Sequence, residues 1–343
     1  MADQVATMEA GSGLAGGRPD GAPRFDAAVP RGGYAWWYVD ALSDDGRHGI
    51  TLIAFIGSVF SPFYAWSRRD MYKGGSGHKG GSGGGGDPAN HCCLNVALYG
   101  RPRRWAMTER GRGALDRSAR HLAIGPSRME WDGEVLTIHV EEVTAPLPSR
   151  LRGTVRVRPG ALTGRRFELD DAGRHRWSPI APVSRVEVEL THPALRWSGP
   201  GYLDTNDGDA PLESDFVQWD WCRAPTRDGA AILYNAQRRV GGEQSLALRI
   251  NRAGTVERVE PPPPAILPRT RWGVARPTRA DAGAAPAVRQ TLEDAPFYSR
   301  SVVETALFGE QVTAVHESLS LDRFRAPWVQ AMLPFRIPRR WGG

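Results

Sequence analysis

An all-β sandwich or barrel with few short helices is the fold class this sequence predicts, and three observations predict it. Apolar residues alternate at period two in several separate segments, 40 glycines and 27 prolines punctuate 343 residues, and no segment carries a long helical period. Strict alternation puts successive side chains on opposite faces of a pleated strand. Frequent Gly and Pro turns suit many short strands and exclude a collagen, a coiled coil or a helical bundle. With 41 % apolar residues, including 12 Trp, 8 Tyr and 10 Phe, the chain has enough material for a substantial core.

Residues 1–24 are rich in Gly, Ala, Pro and Asp without periodicity and read as a disordered leader. The segment Gly49 to Ser67 runs without a charge, at the lower edge of a membrane-spanning length. Its β-branched and aromatic bias, with Ser58, Ser61 and Pro62 inside it and Asp44-Asp45-Gly46 before it, reads instead as a buried strand and its exit turn. Met71 to Gly86 holds both lysines of the chain in a glycine-rich run and reads as a flexible inserted loop. The best helical candidate is a short piece around Arg110 to Leu122.

Farther along, Leu136, Ile138 and Val140 alternate with Thr137, His139 and Glu141, and Leu151, Gly153, Val155 and Val157 alternate with Arg152, Thr154, Arg156 and Arg158. Val186, Val188 and Leu190 repeat the theme, as do Leu246, Leu248 and Ile250 before an Asn251 to Gly254 turn. Pro261 to Pro264 reads as a stiff connector or edge, because alternation resumes over Ser301 to Leu321. A looser boundary within 160–182 divides the chain into an N-terminal β domain over 25–170 and a C-terminal one over 171–343.

The net charge of +6 comes almost wholly from arginine spread through every segment. A nucleic-acid surface would cluster it, so nucleic acid is not an expected partner, and attraction to an anionic membrane is the milder alternative. Cys92 and Cys93 are adjacent and Cys222 stands alone, which is no disulfide framework and points to a reducing compartment. The first 33 residues show no signal-peptide core, which predicts a protein that stays inside the cell.

The densest group of reactive and aromatic side chains is His175-Arg176-Trp177 followed by Tyr202-Leu203-Asp204. In each the outer residues are i and i+2, on one face of an extended strand. They line one cavity, or they are strand ends with ordinary surface polars; spacing alone leaves both open. Asp207, Asp209, Glu213, Asp215 and Asp220 read for the most part as solvated loop charges. Asp204 to Asp209 only partly matches a calcium loop, with glycine fifth and Asp215 at position twelve. His91, Cys92 and Cys93 are consecutive and read as core residues rather than zinc ligands. No phosphate loop or dinucleotide fingerprint appears, so neither cofactor nor metal is expected.

The stretches Tyr34 to Asp40, Ile53 to Pro62, Asn90 to Gly100 and Arg104 to Arg110 resemble the carotenoid 1,2-hydratases, also called hydroxyneurosporene synthases, and the similarity extends from about Phe25 to Arg340. The resemblance implies two lipocalin-like β-barrel domains. It also implies a cofactor-independent lyase that adds water to the terminal C1–C2 double bond of acyclic carotenes such as neurosporene and lycopene. The family's His-x-Trp and Tyr-x-Asp pairs map onto His175, Trp177, Tyr202 and Asp204. The glycine segment at 71–86 departs from the family.

Hydrating an unactivated alkene needs a proton donor, so a carboxyl group near its ordinary pKa of about 3.9 is useless until burial raises it. Asp204 is the expected general acid. The faces of Trp177 and Tyr202 are expected to stabilise the tertiary cation, and His175 to orient Asp204 or take the proton of the attacking water. An insoluble substrate implies peripheral contact with membrane lipid, on the cytoplasmic side of the bacterial inner, photosynthetic membrane. Phe324 to Trp341, mixing aromatics with arginines, reads as an interfacial anchor or as a final strand. Rival readings are a non-catalytic lipocalin-like carrier of an apolar polyene or lipid, and a barrel that catalyses pericyclic or isomerising reactions.

Overall fold

The computed structural model describes residues 21–73 and 85–340. Most of the leader and of the glycine-rich segment, and Trp341 at the tail, lie outside these residues.

The strand Tyr34–Leu42 organises the molecule because it is buried on both faces. Its odd residues Ala35, Trp37, Val39 and Ala41 enter one core with Leu52, Leu94, Val155 and Val186. Its even residues Tyr34, Trp36 and Tyr38 enter a second with Trp177, Trp219, Trp221 and Tyr234. The period of two divides a continuous apolar run between two cores.

This strand pairs antiparallel with Gly49–Ile56 on one side and Ala194–Gly208 on the other. The sheet continues through Cys92–Tyr99 to Arg104–Met107 at one end. At the other it passes through His175–His192, Arg150–Pro159, Leu136–Val143, Ser127–Trp131 and His121–Ile124 to Leu115–Arg117. It curls around the first core. Arg110, just past one edge strand, donates to Glu142 Oε2 at 2.7 Å on Leu136–Val143. A second, seven-stranded antiparallel sheet runs Val256–Arg258, Glu243–Asn251, Gly229–Arg238, Phe216–Thr226, Glu310–Ser320, Tyr298–Leu307 and Ala287–Asp294. Its aromatic face packs on the even face of Tyr34–Leu42. The molecule is thus all-β, of curled lipocalin-like sheets, as the alternation and the resemblance both implied.

Two sequence expectations shift. The division at 170/171 does not coincide with the change of sheet, because His175–His192 and Ala194–Gly208 complete the first sheet by pairing with Arg150–Pro159 and Tyr34–Leu42. The change of sheet falls between Gly208 and Phe216. The piece around Arg110 to Leu122 contains only a short turn of 3₁₀ helix at Arg112–Ala114 and then strands, its polar residues matching the alternation of an edge. Gly49 to Ser67 does contain a buried strand and turn, followed by the helix Pro62–Lys73. The described part of Phe324 to Trp341, up to Arg340, is not a strand: Pro327 opens a helix, Pro327–Arg336, whose Val329 and Leu333 are buried. Among the described residues no helix is long and apolar enough to cross a membrane.

Candidate active site

The two facing aromatic surfaces do not close completely. Between them lies a cavity of about 610 Å³, within the usual range for small-molecule sites. Trp36, Tyr38, Trp219, Trp221 and Tyr234 wall its inner end, and Asp204 opens into it. Its outer end is framed by Trp272 and by Met332, Leu333 and Arg336 of the helix Pro327–Arg336.

Asp204 sits on Ala194–Gly208 directly opposite Tyr38, with its side chain on the even, aromatic face of the strand. The neighbouring strand His175–His192 has its pairing broken near Pro179 and Pro182, where the ladder lacks N–H donors. On the regular side of that break Trp177 stands opposite Asn206. Asp204 is therefore its diagonal neighbour, within reach of an indole.

Two donors meet on one carboxyl oxygen. Trp177 Nε1–H and the Tyr202 hydroxyl each donate to Asp204 Oδ2, both at 2.8 Å. Among the described residues Oδ1 is buried with no hydrogen-bond partner. Desolvation by burial outweighs the two donors and pushes the Asp204 pKa up to about 8, with Glu317 and Asp40 adding like-charge repulsion. With the pKa raised to about 8, the group is held as a carboxylic acid at neutral pH, with Oδ2 the oxygen that accepts from both donors. Burial holds the Tyr202 hydroxyl well above its ordinary pKa, so it remains a donor.

All four residues expected from the sequence are buried, but their contacts divide them. Asp204, Trp177 and Tyr202 form one hydrogen-bonded unit. His175 lies outside it: Nε2 is 2.6 Å from Asp215 Oδ2 and Nδ1 is 2.9 Å from the Tyr34 hydroxyl. A carboxylate only accepts, so Nε2 carries the hydrogen and Nδ1 accepts from Tyr34. Burial lowers the pKa of His175, consistent with a neutral ring. His175 thus orients Tyr34, whose ring stacks on Trp36 of the cavity wall at 4.9 Å. It lies one layer removed from the acid, and the hydrogen bonds to Asp204 come from Trp177 and Tyr202. Those two stand behind the acid, so the rings facing the cavity are instead Trp36, Tyr38, Trp219, Trp221 and Tyr234.

Of the other acids of this region only Asp209, in the bend after Gly208, is an exposed loop charge, and even it is paired. Asp207 and Asp209 pair with Arg176, Glu213 with Arg68, and Asp215 with Arg174. Asp220 is buried, accepts from Ser318 and Gln218, and has its pKa pushed up to about 8 by desolvation. Its odd neighbours Trp219 and Trp221 face the cavity, so Asp220 points to the other side of the strand. Asp204 to Gly208 is strand rather than a calcium loop. His91, Cys92 and Cys93 are buried in the core; His91 Nδ1 lies 2.9 Å from Glu109 Oε1, and desolvation pushes the Cys92 thiol up to about 12.

The aromatic wall was readable only in part. Trp219 and Trp221, like Trp36 and Tyr38, are i and i+2 pairs on strands, the same signal that singled out His175 with Trp177. Fold and site define a class of protein: an all-β chain that encloses an apolar, acid-bearing cavity between two sheets and has the parts for proton-driven chemistry on a hydrocarbon.

The chain belongs to the carotenoid hydratase CrtC family, whose profile matches residues 52–343. It is 57 % identical over 329 residues to the acyclic carotenoid 1,2-hydratase of Thiocapsa roseopersicina, spanning 95 % of this chain and 78 % of that one. To the enzyme of the same name from Rubrivivax gelatinosus it is 51 % identical, over 93 % of this chain and 77 % of that one. To that of Cereibacter sphaeroides it is 46 % identical, over 85 % and 99 %. In fold alone it is similar to an AttH protein of Nitrosomonas europaea, with a TM-score of 0.54 and 13 % identity over 87 % of this chain and 98 % of that one.

Proposed function

We propose that the protein is an acyclic carotenoid 1,2-hydratase, a cofactor-independent hydro-lyase that converts the terminal C1–C2 double bond of neurosporene or lycopene into a tertiary alcohol at C1. The observation that carries this reading is Asp204, a carboxyl group kept protonated by burial at the inner end of an aromatic cavity in a chain of this family.

Asp204 Oδ1–H protonates C2, and the positive charge develops at C1, the more substituted carbon. The ring faces of Trp36, Trp219 and Trp221 attract that charge, worth up to about 2 kcal/mol each in a dry site. The two donors on Oδ2 stabilise the carboxylate as it forms, so the acid is neutral before the transfer and supported after it. Water then adds to C1, and the proton it sheds restores Asp204. A carrier has no use for an unpaired carboxyl group whose burial is costly, which argues against a binding-only role.

The rim supports entry from a bilayer. Trp272 and Trp328 stack at 6.1 Å, Trp328 is 47 % exposed and Phe335 is 75 % exposed, and Arg336 lies over the Trp105 ring. Aromatics beside arginines suit the headgroup boundary, from which an insoluble polyene reaches the cavity without crossing water. The test is incubation with lycopene or neurosporene in oxygen-18 water without added cofactor, with the pigments read by mass spectrometry. A labelled terminal tertiary alcohol supports the reading, and bound, unaltered carotene under conditions where a related hydratase works refutes it.

A further inference from the structure

Hydration needs a second group after the acid. The water that captures the cation must be aimed at C1 and must lose a proton, and Asp204 has just become a carboxylate held by two donors on its far oxygen. A second carboxylate lines the same cavity. Glu317 lies on Glu310–Ser320, directly opposite Trp221 in the second sheet. The Tyr38 hydroxyl donates to its Oε1 at 2.8 Å, and Arg300 donates to the same oxygen. Tyr38 is in turn the residue opposite Asp204 in the first sheet. The two carboxyl groups are therefore separated by one tyrosine, across the junction of the sheets.

The two have different partners. Arg300 is fully buried and bridges Glu317 to Asp40, and Asp40 is also bound by Arg223 at 2.7 and 3.0 Å. Two guanidinium groups, Arg300 and Arg223, thus face the two carboxyl groups of Asp40 and Glu317. Asp204 has no cation among its hydrogen-bond partners and stays neutral. The unit Tyr38–Arg300 occupies only Oε1 of Glu317. Oε2 takes no hydrogen bond among the described residues, on a side chain that is 15 % exposed and lines the cavity. A carboxylate with one oxygen clamped and the other open accepts a hydrogen bond from water.

We propose that Glu317 is the catalytic base of the hydration: its Oε2 holds the attacking water and takes its proton as the oxygen bonds to C1. This inference rests on the hydratase reading above. The balance is complete. Asp204 Oδ1 gives its proton to C2, the π electron pair forms the C2–H bond, and C1 becomes cationic. A lone pair of the Glu317-bound water forms the C1–O bond, and the water's proton passes to Oε2. That proton returns to Asp204 through the next water to enter, leaving both residues as they began. The negative charge of Glu317 also attracts the cation while it lasts. Tyr38 and Arg300 are positioning residues that fix which oxygen is free. Glu293, the other glutamate on the cavity wall, accepts from the Tyr99 hydroxyl at 3.2 Å through Oε2 and is not bonded to Tyr38, the residue opposite Asp204.

The test separates protonation from capture. In deuterium oxide, a cation that forms and is not captured loses a proton from C2 or from a terminal methyl group and returns as deuterium-labelled carotene. Glu317→Gln keeps an oxygen to accept from Tyr38 and Arg300 but has no basic oxygen. Relative to wild type, hydration should fall by about 100-fold or more, the usual contribution of a general base, while deuterium exchange into recovered carotene falls far less. The ratio of exchange to hydration therefore rises. An unchanged ratio, whether both rates persist or both fall together, overturns the proposal, because a purely structural role would move them in parallel. If Glu317→Gln does not fold, Glu317→Asp keeps the charge facing Arg300 and draws the carboxylate back by about one bond length; the same rise is expected, and an unchanged ratio is equally fatal. Wild type run alongside separates the two levels of claim, since its failure to make alcohol would refute the hydratase reading itself.

Discussion

Replacing Asp204 by Asn should abolish turnover and at the same time make the protein more stable at neutral pH. The amide oxygen still accepts from Trp177 and Tyr202, so the local geometry is kept. The folded-state pKa is about 8 against an ordinary value of 3.8. Between those values the folded protein holds a proton that the unfolded chain releases, so the contribution of Asp204 to stability is greatest below pH 4 and falls as pH rises through that window. At pH 7 the loss amounts to about 4 kcal/mol, from roughly three pH units at 1.36 kcal/mol each. Asn does not titrate and escapes this loss. Urea unfolding of both proteins at pH 4 and pH 7, followed by carotene hydration assays, measures both effects. A stability difference between the variants that does not grow from pH 4 to pH 7 would mean that Asp204 is ionised when folded. Turnover by the variant would put the acid elsewhere. Either result refutes the reasoning.

Three other outcomes are expected. Wild-type activity should decline as pH rises through about 8, and Tyr202→Phe or Trp177→Phe should move that decline to higher pH, because each removes a donor that lowers the Asp204 pKa; turnover should also fall by about 10- to 100-fold for a lost hydrogen bond to a charged group, as a pH–rate profile would reveal. Gly208→Ala should cost about 1–3 kcal/mol in thermal unfolding, because a Cβ there would come within 2.4 Å of the Tyr34 ring and displace the partner of His175. Replacing both Trp328 and Phe335 by Ser should weaken co-flotation with anionic liposomes while leaving turnover in detergent unchanged, and undiminished flotation would move the membrane contact away from this helix.

The strands were legible wherever one face met a core and the other met solvent, as at Leu136 to Glu141 and Leu151 to Arg158, because burial then writes its alternation into the chain. Tyr34–Leu42 carries no such pattern, since both its faces are buried and apolar, and its central place emerges only from pairing. The extent of the first sheet was hidden for a related reason: strand patterning marks which residues form strands and not which strands pair, so His175–His192 and Ala194–Gly208 read as the start of something new. At the site, period two brought Trp177, Tyr202 and Asp204 together, but it gave no way to tell a residue touching the acid from one touching the cavity. Glu317 and Arg300 lie more than 90 positions beyond Asp204 and reach it only through the packing of one sheet on another.

The doubly buried strand Tyr34–Leu42 also bears on how the protein is made. A ribosome releases the complete set of strands for the first sheet once Gly208 has emerged, yet Trp36 and Tyr38 have no cover until Phe216–Thr226 and Glu310–Ser320 follow. For the intervening period of synthesis the nascent chain displays an aromatic surface to its surroundings, the kind of surface that chaperones capture and that nucleates aggregates. Truncation after Gly208 would make that exposure permanent.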